Sequence, residues 1–185
     1  MRILIVGANG NVGRLALLGL AGRHEIVTVG RSGGDIRADI SSPVEIERMY
    51  ASLDGLDACI CAAGDSETRA LDELKTEHVQ YGVEQKLFSQ INLVLKGMRK
   101  INANGSFTLV SGKMGDHPAA GSIGKSVVNA AINNFVIAAA QELDRGVRIN
   151  AVSPAKLGSV PDEQITEAFR RSVESDDNGV IYRIY

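Results

Sequence analysis

A chain of 185 residues with a net charge of −2, 44% apolar and 23% charged residues is typical of one globular domain. Such a domain buries about 70% of the surface that its unfolded chain would expose. The slightly negative charge argues against nucleic acid or an anionic membrane as the main partner, since either favours a basic surface. No apolar run approaches the roughly 18 residues of a transmembrane span. The first apolar run is too short for a signal peptide, so we expect a cytoplasmic protein.

The first predicted element is a buried strand that leads directly into a glycine-rich turn. The apolar segment Arg2–Val6 is followed by Gly7, Gly10 and Gly13, and a helix is predicted from Arg14. Glycines let backbone amides approach a pyrophosphate, and the helix N-terminus offers unpaired N–H groups and the positive end of its dipole. The strand before the turn and the helix after it therefore predict dinucleotide binding.

Strand-like apolar runs alternate with helical patterns along the rest of the chain. This alternation predicts right-handed βαβ crossovers, and the continuously apolar strands indicate that helices cover both faces of a parallel sheet. We therefore expect an α/β fold: a single Rossmann-like, doubly wound parallel sheet over residues 1–185. Strands are predicted at Arg2–Val6, Glu25–Val29, Ala58–Cys61, Ser106–Ser111, Arg148–Val152 and Val180–Ile184, and helices at Arg14–Leu20, Pro43–Leu53, Glu77–Ile101, Ser126–Leu143 and from about Pro161.

The two cysteines lie two residues apart in one predicted strand. Strand geometry places Cys59 and Cys61 on the same face, where they are poorly oriented for a mutual disulfide, so we interpret them as reduced core residues. Metal binding by the pair is the alternative, but no cluster of histidine or cysteine accompanies it. We expect no metal site.

Six short motifs, in order, resemble the short-chain dehydrogenase/reductase family across nearly the whole chain. The resemblance implies a nicotinamide dinucleotide as cofactor and a small-molecule substrate. The middle glycine of the family's usual turn would stand at Asn11, and the segment after Pro154 is too short for an extended member, so we expect a short, divergent one. The motifs are Gly7–Gly13, Gly30-Arg31-Ser32, Ala38-Asp39-Ile40, Cys61-Ala62-Ala63-Gly64, Leu109-Val110-Ser111-Gly112 and Arg148–Pro154.

The residues after the second strand bear on the choice of cofactor. NAD-specific relatives carry an acidic residue there for the ribose diol, whereas this chain has Arg31, whose guanidinium matches a phosphate. NADP is therefore predicted over NAD, the alternative being that Arg31 is a solvated loop residue. Asp39 resembles the aspartate that borders the adenine, with a loop or helix-entry aspartate as its alternative. The cofactor-binding residues that the resemblance implies are Gly7, Asn9, Gly10, Asn11, Val12, Gly13, Arg31, Ser32, Asp39, Ile40, Ala62, Ala63, Gly64 and Pro154.

The catalytic helix departs from the family pattern. The resemblance implies a Tyr-x-x-x-Lys pair, in which the tyrosine exchanges a proton and the lysine lowers the tyrosine pKa and holds the nicotinamide ribose. A match without a gap places Lys125 at the tyrosine and Asn129 at the lysine, and no tyrosine lies between Tyr81 and Tyr182. Lys125 thus becomes the candidate proton donor or electrophile, and Asn129 a candidate for the ribose hydroxyls. An exposed lysine at a helix start is the alternative for Lys125.

Two further catalytic positions are also replaced. The family's serine falls on Gly112, with Ser111 one residue earlier, and its helical asparagine falls on Lys86. Ser111 is then the candidate that orients the substrate oxygen, and Lys86 a like charge that makes the other lysine easier to deprotonate. A strand-end hydroxyl and a solvated helix face are the respective alternatives. His117, in the loop before the catalytic helix, is a further acid–base candidate, or a structural loop residue.

These features favour an NADP-dependent oxidoreductase that acts on a small carbonyl compound or alcohol through a non-standard site. A catalytically inactive dinucleotide-binding sensor or regulatory protein is the alternative, and an interaction protein that keeps only the fold is the third. The resemblance also implies a homodimer or homotetramer formed through the two long helices, which carry apolar residues beyond one buried stripe.

Overall fold

The computed structural model describes residues 1–185 and contains one parallel sheet of seven strands. In chain order the strands are β1 (Arg2–Val6), β2 (Glu25–Gly30), β3 (Ile36–Arg37), β4 (Leu56–Cys61), β5 (Ile101–Val110), β6 (Arg148–Pro154) and β7 (Ile181–Ile184). Their order in the sheet is β3-β2-β1-β4-β5-β6-β7. The sequence order reverses between β1 and β4, which pair from Ile3↔Ala58 to Val6↔Cys61. Such a switch point is where ligands bind in open α/β sheets.

Helices cover both faces of the sheet, as the sequence predicts. They are α1 (Asn11–Leu20), α2 (Pro43–Ala51), α3 (Thr76–Gly82), α4 (Ser89–Gly97), α5 (Ile123–Ala139) and α6 (Asp162–Glu174), with a π-helical segment at Val83–Phe88 between α3 and α4 and a short 3₁₀ turn at Lys113–Gly115. None of these helices combines the length and apolar character that crossing a bilayer requires.

Each face of the sheet has its own apolar core, because successive strand residues point to opposite sides. On one face, Leu4 and Val6 pack with side chains of α2, α4 and α5, including Tyr50 and Ile132. On the other face, α1 and α6 contribute residues such as Leu20 and Phe169. The predicted Rossmann-like, doubly wound fold is thereby confirmed.

The two cysteines lie on one face, within the core that α2 covers. Both are free thiols, and burial raises the pKa of each to about 12. The Tyr50 hydroxyl donates to Cys59 Sγ at 3.4 Å and to the Leu93 carbonyl oxygen at 2.9 Å. The pair therefore packs as core residues.

The boundaries of several elements differ from the sequence prediction. The helix predicted from Glu77 to Ile101 changes to π geometry at Val83 and ends at Gly97, and Ile101 instead opens β5 opposite Leu56. The helix predicted at Ser126–Leu143 begins at Ile123 and ends at Ala139. Strand β3 has only two residues, too few for a periodic apolar signal, and was not predicted.

Candidate functional site

The turn between β1 and α1 closes tightly on itself at the carboxyl end of the sheet. Gly7 has a φ of +82°, which favours glycine, and its amide donates to the Val29 carbonyl oxygen at 2.8 Å. A Cβ on Gly13 would lie 2.0 Å from the Gly7 carbonyl oxygen, so only glycine lets α1 start against the turn. Gly10 precedes α1 without a side-chain cap, and the first turn of α1 contains no acidic residue. The first N–H groups of α1 are thus available to an anion.

A groove of about 250 Å³ begins at this turn and runs over the ends of β1 and β2. It contains eight of the predicted cofactor residues and adds four polar ones that were not predicted to bind the cofactor: Ser41, Asp65, Gln85 and Ser89. Gly10, which precedes α1, and Asn11 and Gly13 in its first turn do not line the groove. The eight predicted residues that line it are Gly7, Asn9, Arg31, Ser32, Asp39, Ile40, Ala63 and Gly64.

Arg31 and Asp39 lie at the same end of the groove. Asp39 Oδ1 accepts hydrogen bonds from the amide and the hydroxyl of Ser41, at 2.9 and 2.8 Å. The hydrogen bond from the Ser41 amide, with a smaller contribution from the Arg31 charge, lowers the pKa of Asp39. Asp39 therefore shapes the entry to α2 and also faces the groove. Arg31 is exposed and leaves its donors available to a ligand at this end.

A second cleft of about 290 Å³ lies beyond the ends of β4 and β5. All four predicted catalytic residues line it: Lys86 from the π-helical segment, Ser111 after β5, and Lys125 and Asn129 from α5. The remaining predicted cofactor residues Val12, Ala62 and Pro154 also line the cleft. His117 does not; its ring packs edge-on against Tyr185, 5.3 Å between centroids. The structure thus brings the four together and leaves the histidine elsewhere.

Lys86 holds a fixed position in this cleft. Its Nζ donates to Asn129 Oδ1 at 2.8 Å and to the Ser111 carbonyl oxygen at 3.1 Å. Its stem passes over Gly64, where a Cβ would lie 2.7 Å from Lys86 Cγ. Burial, with a smaller contribution from the Lys125 charge, lowers the pKa of Lys86 to about 8. An amine with that pKa exchanges protons near neutrality.

The end of β5 positions the serine. Ser111 is 4% exposed, and its Oγ is buried without a hydrogen-bond partner. At the next residue, a Cβ on Gly112 would lie 3.1 Å from Asn129 Nδ2, so a glycine at this position leaves room for the Asn129 amide. A buried hydroxyl without a partner is unfavourable unless a ligand completes it.

One supporting residue has no signal in the sequence. The Gln90 side chain donates to the Val110 carbonyl oxygen at 2.9 Å and accepts from the Val110 amide at 3.0 Å. Gln90 is fully buried on α4 and holds the last residue of β5 just before Ser111. In the sequence it is one polar residue in a helical pattern, with nothing to distinguish it from a solvated glutamine.

The groove and the cleft adjoin each other, because Ala63, Gly64 and Asp65 line both. The uncapped start of α1 suits a pyrophosphate, and the unpartnered Ser111 hydroxyl lies at the opposite end of the joined space. The residues present therefore fit an extended dinucleotide with its reactive end beside the lysines.

Comparisons with known proteins agree with this geometry. A family model described as enoyl-(acyl carrier protein) reductase matches residues 21–178. The crystal structure of the protein lin1944 from Listeria innocua is similar over 100% of both chains, with 34% identity and a TM-score of 0.95. No curated protein matches the sequence.

Two more distant structures share the fold. A small-chain dehydrogenase in complex with NADPH is 19% identical, with a TM-score of 0.87 over 100% of this chain and 96% of that one. A short-chain dehydrogenase/reductase from Serratia marcescens is 16% identical, with a TM-score of 0.86 over 99% and 94%. The family match over most of the chain and the shared architecture show that the chain belongs to the short-chain dehydrogenase/reductase family.

Proposed function

We propose that the chain is an NADP-dependent oxidoreductase that interconverts a small carbonyl compound and an alcohol at a site built on lysines. The observation that carries the proposal is that the nucleotide groove adjoins the cleft lined by Lys86, Ser111, Lys125 and Asn129. A ligand that spans the joined space has its reactive end beside groups able to bind an oxygen and move a proton.

The residues of the groove account for the cofactor. Backbone N–H groups at the start of α1 bind the pyrophosphate, and Gly13 lets α1 start directly against the glycine turn. Arg31 binds the 2′-phosphate that distinguishes NADP from NAD, because its guanidinium donates in a planar fork. The NADPH bound by a distant structural neighbour supports this preference. When bound, the nicotinamide supplies or accepts the hydride.

The residues of the cleft act on the substrate oxygen. The Ser111 hydroxyl orients this oxygen, and a lysine exchanges the proton with it. Lys125 stands where the family has its tyrosine, and Asn129 takes the place of the family's lysine towards the ribose hydroxyls. Lysine ammonium groups in a partly desolvated cleft also stabilise negative charge that develops on the oxygen.

Two measurements, made one after the other, test the proposed function. Titration calorimetry with NADP and NAD should show binding, with NADP the tighter ligand. A screen of aldehydes, ketones and quinones, followed by the absorbance of the reduced nicotinamide, should then show turnover. Binding of NADP without turnover of any carbonyl would instead support the dinucleotide sensor, for which the lack of a tyrosine in the cleft is the specific argument. Binding of neither dinucleotide would contradict both functions.

The assembly proposed with this function is a homodimer or homotetramer. Large apolar side chains remain exposed along the helices predicted to associate: Tyr81, Phe88 and Leu95 on the segment from α3 to α4, and Val127 and Ile137 on α5. A second copy of the chain would remove them from water.

A further inference from the structure

The geometry of the cleft distinguishes its two lysines. The Nζ of Lys86 is held by two acceptors, the Asn129 side chain and the Ser111 carbonyl oxygen. An ammonium group has three hydrogens, so one remains for a ligand in the cleft that Lys86 lines. The Lys86 ammonium is therefore presented to the cleft in one defined orientation.

Lys86 also carries its charge without a carboxylate partner. Both of its acceptors are neutral, and no salt bridge of the structure includes it. The titratable groups that influence it are Cys61 at the end of β4, Asp65 in the following loop and Lys125 on α5. Asp65 is already engaged by the Tyr81 hydroxyl at 3.1 Å and the Ser66 amide at 2.8 Å. A partly buried cation without a counter-ion attracts negative charge that forms beside it.

The serine hydroxyl lies on the residue that helps to hold this ammonium. The Ser111 carbonyl oxygen lies 3.1 Å from Lys86 Nζ, and the Oγ of the same residue is buried and unpartnered. Both residues line the cleft, so a substrate oxygen bound there can accept the free hydrogen of the ammonium beside the residue that carries the unpartnered hydroxyl. The Lys86 ammonium is thus held between the residue after β5 and Asn129 on α5.

On the basis of the oxidoreductase function proposed above, we infer that Lys86 rather than Lys125 exchanges the proton with the substrate oxygen. Asn129 is then the positioning residue that orients the Lys86 ammonium. The lowered pKa of Lys86, about 8, agrees with this role because an acid–base group works best near the operating pH.

The step balances in both directions. During reduction the carbonyl carbon gains the hydride, the π electron pair moves to the oxygen, and that oxygen takes a proton from Lys86 Nζ. The lysine is left as a neutral amine and recovers its proton from water. During oxidation the neutral amine takes the proton of the alcohol as the hydride leaves the carbon.

Chemical labelling tests the reactivity of Lys86 without any substrate. The full-length protein is treated with limiting acetic anhydride between pH 6 and 10, and the modified lysines are quantified by mass spectrometry. We expect Lys86 to reach half of its maximal labelling near pH 8, and the exposed Lys100 serves as the internal comparison in the same samples. NADP should protect Lys86 from the reagent. Labelling of Lys86 with the same pH dependence as Lys100 would overturn the inference.

Variants of the two lysines supply the second test. We expect Lys86→Gln to lower kcat about 100-fold or more, the usual contribution of a general acid, while NADP binding by calorimetry is kept. Lys125→Gln should lose less than about tenfold, and its activity should extend to higher pH because a like charge near Lys86 is gone. The reverse pattern would assign the proton to Lys125 and contradict the inference. Lys100→Gln is the control for the loss of one positive charge.

Asn129 is tested by its conservative and its apolar replacement. Asn129→Leu should lower kcat with little change in KM, because the ammonium loses its orientation. Asn129→Asp keeps the acceptor, so it should recover part of the activity and move the alkaline limit of reduction upward. An Asn129→Leu variant with normal kcat and pH profile would leave no positioning role. A wild type that binds NADP but turns over no carbonyl contradicts the proposed function itself, which separates that failure from failure of the Lys86 assignment.

Discussion

Lys86 Nζ lies 2.8 Å from Asn129 Oδ1, and this hydrogen bond joins the π-helical segment to α5 across the cleft. The family resemblance places an asparagine at position 86 and a lysine at position 129. By this resemblance, these two positions still hold one amide and one ammonium, but the helical segments that carry them are exchanged. The π geometry at Val83–Phe88 accompanies this exchange, and such segments occur frequently at functional sites.

The Lys86 charge should make the stability of the fold depend on pH. The pKa of Lys86 is about 8 in the folded chain and about 10.4 in an unfolded one. Between these values the unfolded chain binds more protons, so the free energy of unfolding rises with pH. The titration of Lys86 therefore adds nothing to the free energy of unfolding below pH 8. Above pH 10 it has raised that free energy by at most about 3 kcal/mol.

Urea unfolding between pH 7 and 10 measures this contribution as the difference between the wild type and Lys86→Met. As the pH rises, we expect the free energy of unfolding of the wild type to increase relative to that of Lys86→Met. The free energy of unfolding of Lys100→Met should change with pH in the same way as that of the wild type. Parallel curves for Lys86→Met and the wild type would show that the folded chain does not disfavour the Lys86 charge.

The glycine turn should tolerate a methyl group at one position and not at another. A Cβ on Gly13 would lie 2.0 Å from the Gly7 carbonyl oxygen, whereas a Cβ on Gly10 would lie 3.3 Å from it. Gly10 also has a φ of −75°, which alanine adopts without strain. Gly13→Ala should therefore lower the free energy of unfolding by about 2 kcal/mol or more, and Gly10→Ala by less than about 1 kcal/mol. Thermal unfolding of both variants measures the two losses of stability. Equal losses would mean that the turn relaxes around either methyl group.

This part of the fold was predictable because its signals are local. The apolar run of β1, the glycines and the start of α1 follow one another directly in the sequence. The end of α4 was not predictable, because Met98 and Ile101 continue the helical spacing of apolar residues although Ile101 pairs with Leu56 in the sheet. Tertiary pairing outweighs local periodicity there.

The sequence selects the residues of the candidate site but does not distinguish their roles. The family motifs selected Lys86, Ser111, Lys125 and Asn129, and the structure places them in one cleft. Which of the two lysines exchanges the proton depends on how deeply each is buried and on which acceptors each ammonium reaches. Those properties come from contacts between residues 43 positions apart, such as Lys86 and Asn129, and leave no trace in either segment alone.

Arg31 should determine the preference between the two cofactors. Replacement by glutamate removes the donor for a 2′-phosphate and supplies an acceptor for the ribose diol. We expect Arg31→Glu to weaken NADP binding at least about tenfold, as loss of a charge-assisted pair predicts, and to strengthen NAD binding relative to it. Calorimetry with both dinucleotides measures the ratio. Arg99→Glu, the same change at an exposed residue after α4, should leave the ratio unaltered; a similar shift in both variants would indicate a general charge effect.

Gln90 should stabilise the end of β5. Its side chain satisfies both backbone polar groups of Val110 in the buried interior, and removal leaves them without partners at about 1–3 kcal/mol each. We expect Gln90→Ala to lower the free energy of unfolding by about 2–4 kcal/mol, since a second hydrogen bond and some packing are lost. Gln80→Ala, on the exposed face of α3, should change it by less than about 0.5 kcal/mol. A similarly small effect at Gln90 would mean that water replaces the amide.

Association of the chain should depend on the exposed apolar residues of α4 and α5. Leu95 and Val127 are 54% and 47% exposed on helices that the family resemblance assigns to self-association. A lysine at either position would bring a charge into the proposed contact, where it lacks a partner. Light scattering after size-exclusion chromatography should show a dimer or tetramer for the wild type and a lower mass for Leu95→Lys and Val127→Lys. Leu71 is 75% exposed in the loop before α3, and Leu71→Lys should keep the wild-type mass. A monomeric wild type, or a mass unchanged by both helix variants, would contradict association through these helices.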